Sequence, residues 1–364
     1  MSIARVAVLY QAIEPPVVNG VRKPPKPGGY RDSGADIAYS LQLQSDIDVL
    51  TATPSSSPND EDGWCFPDTE EGIMLALKKG ATHLWANTVL FTTHPLQSSS
   101  RIGKYQDLAR VFGQPPPMVE KYDDKEFVNN LLRSKGGFTM PRSWSLSKSE
   151  DVKSRLRALN LPFPVVVKPI RGRGSYGVRM CTSEGEVIEQ IKALFEDSLA
   201  IMIEEYLAGE EITITVMPPS EETPRYWAMP IVKRFNHADG IAPYSGVIAV
   251  TSNSTVIPSG HYAKYPSYHE VTRQCEEVAK LLRVTAPIRI DARRFTNDQN
   301  SDFALFDVNM KPNMTGPGRP GRENQASLTA LSAAALGWDY STLLRSMLLR
   351  SHTLRALREA QPDL

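Results

Sequence analysis

Two short segments in the last third of the chain alternate with a period that only a sheet satisfies. In Pro287-Ile288-Arg289-Ile290-Asp291-Ala292-Arg293 apolar and charged residues take turns, and Phe303-Ala304-Leu305-Phe306-Asp307-Val308-Asn309 follows after a polar turn from Thr296 to Asp302. Successive side chains on a strand point to opposite faces. Ile288, Ile290 and Ala292 are therefore expected on the core, with Arg289, Asp291 and Arg293 on the other face. In the second segment Ala304, Phe306 and Val308 should face one way, Asp307 and Asn309 the other. Paired as a hairpin, the two strands bring two carboxylates, a carboxamide and an arginine onto one surface. Such hard oxygen ligands suit Mg²⁺, which takes one or two carboxylates and completes its shell with waters and phosphates. The bland alternative is a solvated face with incidental ion pairs. An Arg-x-Asp followed by Asp-x-Asn among strand-type apolar residues argues against it.

A second motif lies upstream. Val165-Val166-Val167 reads as a buried strand that delivers Lys168, and a loop with Gly172, Gly174 and Gly177 follows at once. Glycines allow positive φ and leave N–H groups free to wrap phosphate oxygens. The lysine precedes the glycines, so the Gly-x-x-x-x-Gly-Lys-Ser/Thr pattern is not met. Alone, the segment reads equally well as an ordinary glycine-rich hairpin. Together with the acidic hairpin it describes a nucleotide-dependent phosphoryl-transfer site.

At 364 residues the chain exceeds one ordinary core, and two or three domains are expected. Forty-one basic residues balance forty-one acidic ones, which offers no basic field for nucleic acid or an anionic membrane and favours small-molecule partners. The opening strand, Ile3 to Leu9, is too short for a signal peptide, and no apolar run reaches membrane length. Cys65, Cys181 and Cys275 lack metal spacing and read as reduced thiols of a cytoplasmic protein. The six histidines show no ligand spacing.

Strand and helix patterns alternate up to about residue 118, as in a small doubly wound α/β domain. The elements are Ile47–Leu50 and Thr82–Ala86 as strands, and Ser33–Ser45 and Asp68–Lys79 as helices. Glu14 to Tyr30 is a long proline- and glycine-rich loop, a type that is usually functional or disordered. Pro115-Pro116-Pro117 reads as a linker. Capping boxes are expected at Asp68/Glu71, Asp123/Glu126 and Ser183/Glu186. Further on come a helix from Ser149 to Asn160, strands at Ile201–Ile203, Glu211–Met217, Tyr226–Lys233 and Gly246–Val250, and a helix from His269 to Leu282.

The order of these pieces resembles the ATP-grasp superfamily, in its D-alanine–D-alanine ligase-like branch, most strongly from Lys125 to Thr315. The resemblance implies an α/β fold of three domains. These would be an N-terminal substrate domain (1–118), a central ATP-grasp subdomain (119–207) and a C-terminal one with the metal and acceptor site (208–364), enclosing ATP. It implies that Lys125 and Lys168 bind nucleotide phosphates and that Gly174, Ser175, Tyr176 and Gly177 close over them. Glu204-Glu205-Tyr206-Leu207 would supply the adenine hinge, Glu211 the ribose contact, and Asp291, Asp307 and Asn309 would hold Mg²⁺, with Mn²⁺ as an alternative. Arg289 would stabilise an oxyanion, with Lys168 and Ser175 beside the transferring phosphate, and Asn313 would belong to the acceptor loop. The implied reaction joins a carboxylate to an amine through an acyl phosphate, and a homodimer would suit the family.

This chain also departs from the pattern. The place of an early glutamate that fixes the first substrate's ammonium is taken by Gly28 or Gly29. A phosphate lysine of the C-terminal domain is replaced near Pro243 and Tyr244, where Lys233 or Arg234 could compensate and Tyr244 would face substrate. Asp307 stands where glutamate is usual. Arg319 and Arg322 sit in an inserted loop, either solvated or clamping a substrate carboxylate. The tyrosine-rich Gly260–Tyr265 is a candidate lid. These departures point away from peptidoglycan synthesis and towards small peptide-like or specialised metabolites. The rival readings are a regulatory nucleotide-binding protein of the same fold and an ATP-grasp carboxylase or kinase.

Overall fold

A computed structural model describes residues 4–54, 56–172, 174–242, 250–262 and 264–362. Three sheets organise them. The first has the order His352–Thr353, Arg110–Phe112, His83–Asn87, Ala4–Tyr10, Ile47–Leu50, with Phe66–Pro67 beside Ala4–Tyr10. Its strands pair in parallel except His352–Thr353, which pairs antiparallel with Arg110–Phe112. Because both faces are covered, Val6, Ala7, Val8 and Leu9 run as a continuous apolar stretch, all 0% exposed. Helices Arg31–Gln42 and Tyr340–Leu348 cover one face, and Glu70–Lys78 covers the other. Residues 340 to 359 thus return to the first sheet, and Leu354 and Leu357 pack into its core.

The second sheet is antiparallel, in the order Arg179–Cys181, Val165–Pro169, Ala200–Glu205, Ser143–Ser147. Helices Val152–Leu159 and Glu184–Leu194 bury its far face. The third is also antiparallel: Ser254–Val256, Val232–Arg234, Glu211–Met217, Ile288–Arg294, Phe303–Asn309, with Trp227–Ala228 alongside Glu211–Met217. Helices Lys125–Lys135 and Pro266–Leu281 cover one face of it through Leu132, Tyr268, Val271 and Val278. Each fully buried aliphatic of this kind contributes roughly 1.5–3 kcal/mol by leaving water. Among the described residues no helix is long and apolar enough to cross a membrane.

Several expectations shift. Pro116 and Pro117 open the helix Pro116–Tyr122 instead of forming a linker. Proline suits a first helical turn, where its missing N–H has no partner to lose. The cap of Glu70–Lys78 is Thr69, whose hydroxyl accepts from Gly72 N–H. Asp68 is instead buried and accepts from the Ala12 and Ile13 N–H groups. Asp124, not Asp123, caps Lys125–Lys135 by accepting from Phe127 N–H; Ser183 caps its helix as expected. Most of the strand expected at Gly246–Val250 lies outside the described residues.

The loop 14–30 is ordered by a small hairpin, Val17–Val18 with Val21–Arg22, whose turn residues Asn19 and Gly20 have φ of 53° and 76°. A Cβ on Gly20 would lie 2.1 Å from Leu199 Cδ1 at a φ of 76°, so a side chain there would strain the backbone and displace Leu199. Lys23 pairs with Asp123. The loop therefore bridges the first sheet to the lobe that carries the second.

Candidate active site

The third sheet presents its polar face to the second, and its register sets out the site in rungs. Glu211 stands between Arg234 and Arg293, Thr213 opposite Asp291, and Thr215 opposite Arg289. Across the next strand pair Asp291 opposes Asp307 and Arg289 opposes Asn309. The hairpin read from alternation thus forms, with the two carboxylates facing each other. One phase differs: a bulge between Asp291 and Ala292 places Ala292 opposite Leu305. Phe306 is the extra residue, and it lines the pocket instead of joining Ala304 and Val308 towards the core.

The pocket lies between the two sheets. It is lined by Lys125, Lys168, Gly174, Ser175, Tyr176, Glu204, Glu205, Tyr206, Leu207, Glu211, Arg289, Asp291, Asp307, Asn309 and Asn313 from the expected set. Val166, Leu207, Ile241, Phe306 and Leu328 give it an apolar slot. Lys125 heads its helix and donates from Nζ to Asp307 Oδ1 at 2.5 Å. Lys168, 4% exposed, pairs with Glu204 and donates to the Phe306 carbonyl at 3.2 Å. Glu204 also accepts from Asn129 Nδ2 at 2.8 Å. Arg289 donates to both oxygens of Asp291, which further accepts from Thr213 Oγ1 at 2.5 Å and Asn309 Nδ2 at 3.1 Å. In the glycine loop Gly174 and Ser175 take φ of 56° and 64°, the left-handed conformation that aims successive N–H groups to one side.

Charge is balanced within this cluster. Burial would raise the Asp307 carboxyl, but Lys125, Lys168 and Arg289 outweigh it and hold it below the usual carboxylate range. Burial would likewise lower Lys125, yet Asp307, Asp123 and Asp291 keep it above the ordinary lysine value. Asp291, Asp307 and the Asn309 amide oxygen form a hard donor set at adjacent register positions, which fits a Mg²⁺ ion. Among the described residues no three His, Cys, Asp or Glu side chains group closely enough to hold a metal by themselves. An ion here would complete its shell with waters and phosphate oxygens, as Mg²⁺ commonly does.

Other expected site residues lie elsewhere. Lys233 points to the opposite face of its strand and pairs with Glu210 at 2.6 Å, while its neighbour Arg234 borders the pocket. Gly177 does not line the pocket; its carbonyl accepts from Gln190 Nε2. Arg319 and Arg322 hold a carboxylate of the chain itself. Arg319 Nε donates to Asp36 Oδ1 at 2.9 Å and Arg322 Nε to Oδ2 at 3.0 Å, with Asp36 fully buried. The inserted loop is thereby fastened to helix Arg31–Gln42, which corrects the substrate-clamp reading. Tyr244 is outside the described residues. Of the candidate lid, His261 and Tyr265 border a second cavity beside Lys233 and not the pocket, the Ile231 N–H donates to the Tyr262 hydroxyl, and Ala263 lies outside the described residues. His237, one of the histidines without ligand spacing, sits with Nε2 2.8 Å from Glu211 Oε2. Nothing in local sequence signals that contact.

Residues 137–349, more than half of the chain, match the family described as D-ala D-ala ligase C-terminus. The chain is 29% identical over 234 residues to D-alanine–D-alanine ligase A of Bacillus cereus, covering 64% of this chain and 68% of that protein. It is 27% identical over 192 residues to the D-alanine–D-alanine ligase of Buchnera aphidicola, covering 53% and 56%. In fold it is similar to the crystal structure of D-alanine–D-alanine ligase from Bacillus anthracis complexed with ATP, with a TM-score of 0.65 at 21% identity over 98% and 99% of the two chains. The VanG D-Ala:D-Ser ligase of Enterococcus faecalis gives a TM-score of 0.60 at 14% identity over 96% and 99%.

Proposed function

The chain belongs to the D-ala D-ala ligase C-terminus family, and from that premise we propose how its residues divide the work of an ATP-dependent carboxylate–amine ligase. The fold is that of ATP-grasp proteins, and the reaction class is ADP-forming C–N ligation with ATP and Mg²⁺. The observation that carries the residue assignments is the opposition of Asp291 and Asp307, with Arg289 and Asn309 one rung on, in a pocket shared with Lys125, Lys168 and the glycine loop.

Adenine lies in the apolar slot of Val166, Leu207 and Phe306, next to the Glu204–Leu207 hinge, and Glu211 meets the ribose. Lys125 and Lys168 hold the phosphates, and each must loosen its present carboxylate, Asp307 or Glu204, as the nucleotide enters. Asp291, Asp307 and Asn309 would hold Mg²⁺, which would supply the positive charge that offsets the negative charge developing in phosphoryl transfer. One substrate's carboxylate attacks the γ-phosphate in line, giving an acyl phosphate and ADP. The amine of the second substrate then adds to the acyl carbon. Arg289, already oriented by its two bonds to Asp291, faces the oxyanion of that tetrahedral species. Collapse expels inorganic phosphate and leaves the amide. Ser175 and the glycine-loop N–H groups shield the acyl phosphate from water, and Asn313 orients the acceptor.

The substrates are small acids and amines of a specialised, peptide-like pathway, and the three buried, unpaired thiols suit a reducing cytoplasm. The test is ATP-dependent phosphate release with Mg²⁺ across pairs of D- and L-amino acids, simple carboxylic acids and amines, with products weighed by mass spectrometry. A product equal to acid plus amine minus water, formed with ADP, supports the reading. Bound ATP that yields no ADP with any pair would turn it towards a regulatory nucleotide-binding role.

A further inference from the structure

Arg234 ends the strand Val232–Arg234 directly opposite Glu211. The two-residue period of the strand turns Lys233 to the far side and Arg234 into the pocket. Arg234 is only 8% exposed. Among the described residues none of its side-chain nitrogens donates a hydrogen bond, and its Nε is fully shielded. The other cations of the pocket are all engaged: Lys125 by Asp307, Lys168 by Glu204 and Arg289 by Asp291. Arg293 donates to the carbonyls of Gly209 and Gly240 and to the Tyr206 hydroxyl. Glu211, the nearest carboxylate by register, lies 2.8 Å from His237 Nε2 instead.

A guanidinium taken out of water without a partner is costly, and a buried donor left over in a native fold calls for an explanation. Burial drags the Arg234 pKa down, against the pull of Glu211 and Asp291. An anion in the pocket would remove that cost. Position on the sheet decides which anion. Arg234 shares a rung with Glu211, one rung from Asp291 and two from Arg289. At about 3.4 Å per residue, the Asp291 rung is roughly 7 Å away and the Arg289 rung roughly 14 Å. An arginine side chain spans the first distance and not the second. The group it meets therefore lies between the Glu211 end and the acidic hairpin, not at the acyl-transfer end.

We propose that Arg234 binds the phosphate chain of the nucleotide, using the guanidinium fork that suits phosphate oxygens. This rests on the ATP-dependent reading above and adds to it a phosphate contact that Lys125 and Lys168 do not supply. The test is calorimetric binding of adenosine and of ADP to the full chain and to its Arg234→Gln and Arg234→Lys variants. Arg234→Gln should weaken ADP about tenfold to a hundredfold while leaving adenosine unchanged, and Arg234→Lys should recover part of the loss. An unchanged ADP affinity, or ADP and adenosine weakened in parallel, overturns the proposal. If Arg234→Gln binds no adenosine because it fails to fold, the ADP-to-adenosine ratio of Arg234→Lys decides in the same way. Wild-type protein that binds adenosine and ADP equally overturns the phosphate role. Protein that binds neither, nor ATP, overturns the nucleotide reading with it.

Discussion

Arg289 donates from Nε to Asp291 Oδ1 and from Nη2 to Asp291 Oδ2, both at 3.0 Å, so the residue proposed to face an oxyanion is also the counter-ion of a metal-ligand candidate. On the proposed reading the two roles are coupled: an ion bound at Asp291 would compete with Arg289 for carboxylate oxygens and free guanidinium N–H groups for the substrate.

Asp307→Ala should cost about 10²–10³-fold in amide formation, the range for losing one preorganised electrostatic contact. Phosphate-release assays read the rate, and circular dichroism should find the fold intact. Because Asp307 also anchors Lys125, nucleotide affinity should change as well. Unchanged turnover would remove Asp307 from the metal site.

Lys168→Met should destabilise the protein by about 3–5 kcal/mol, since it leaves the Glu204 carboxylate buried without its cation. Both side chains of this pair are almost wholly shielded, at 5% and 4% exposure. Urea denaturation measures the loss. A double Lys168→Met, Glu204→Leu variant should recover most of it while still failing to bind ATP, which separates the stability effect from the nucleotide effect.

Asp36→Asn should loosen the inserted loop 316–326, because both Arg319 and Arg322 would lose their anion. Limited proteolysis should cut this loop faster in the variant, with a loss of about 3–5 kcal/mol for breaking a buried pair. Arg322→Ala alone should cost less, since its side chain is a quarter exposed. Equal proteolysis of wild type and variant would return the loop to a solvated role.

None of the three cysteines should react with a thiol reagent such as DTNB in the native protein at pH 8. Burial pushes the Cys181 thiol up to about 11 and the Cys65 and Cys275 thiols higher still. At pH 8 all three remain protonated and inaccessible, and the reactive thiolate is scarce. Three equivalents should appear only on unfolding, and fast labelling of the native chain would contradict the packing around them.

Patterns with a local cause were legible in the sequence. The strand period put Arg289, Asp291, Asp307 and Asn309 on one face, and Lys168 before a glycine loop marked the opposing wall. What escaped depends on partners distant in sequence. The bulge that turns Phe306 into the pocket is set by the hydrogen-bond ladder between two strands, and side-chain alternation carries no record of it. Choosing between Lys233 and Arg234 needed the phase of a strand three residues long. The carboxylate for Arg319 and Arg322 lies more than 280 positions away, on the helix Arg31–Gln42. Asp68 looked like a cap because it precedes a helix, yet the backbone N–H groups of Ala12 and Ile13 claim it.

The antiparallel strand His352–Thr353, with Leu354 and Leu357 behind it, completes a sheet whose other strands are made in the first third of the chain. A ribosome emits the chain from its N-terminus, at about 5–20 residues per second. The first sheet must therefore wait, with the outer edge of Arg110–Phe112 unpaired and Val111 without Leu354 and Leu357 beside it, while the second and third sheets are synthesised. Those sheets can close their own cores earlier. The order of synthesis and the order of completion are thus reversed, and a nascent chain arrested before residue 350 should display an open sheet edge to any chaperone that surveys such edges.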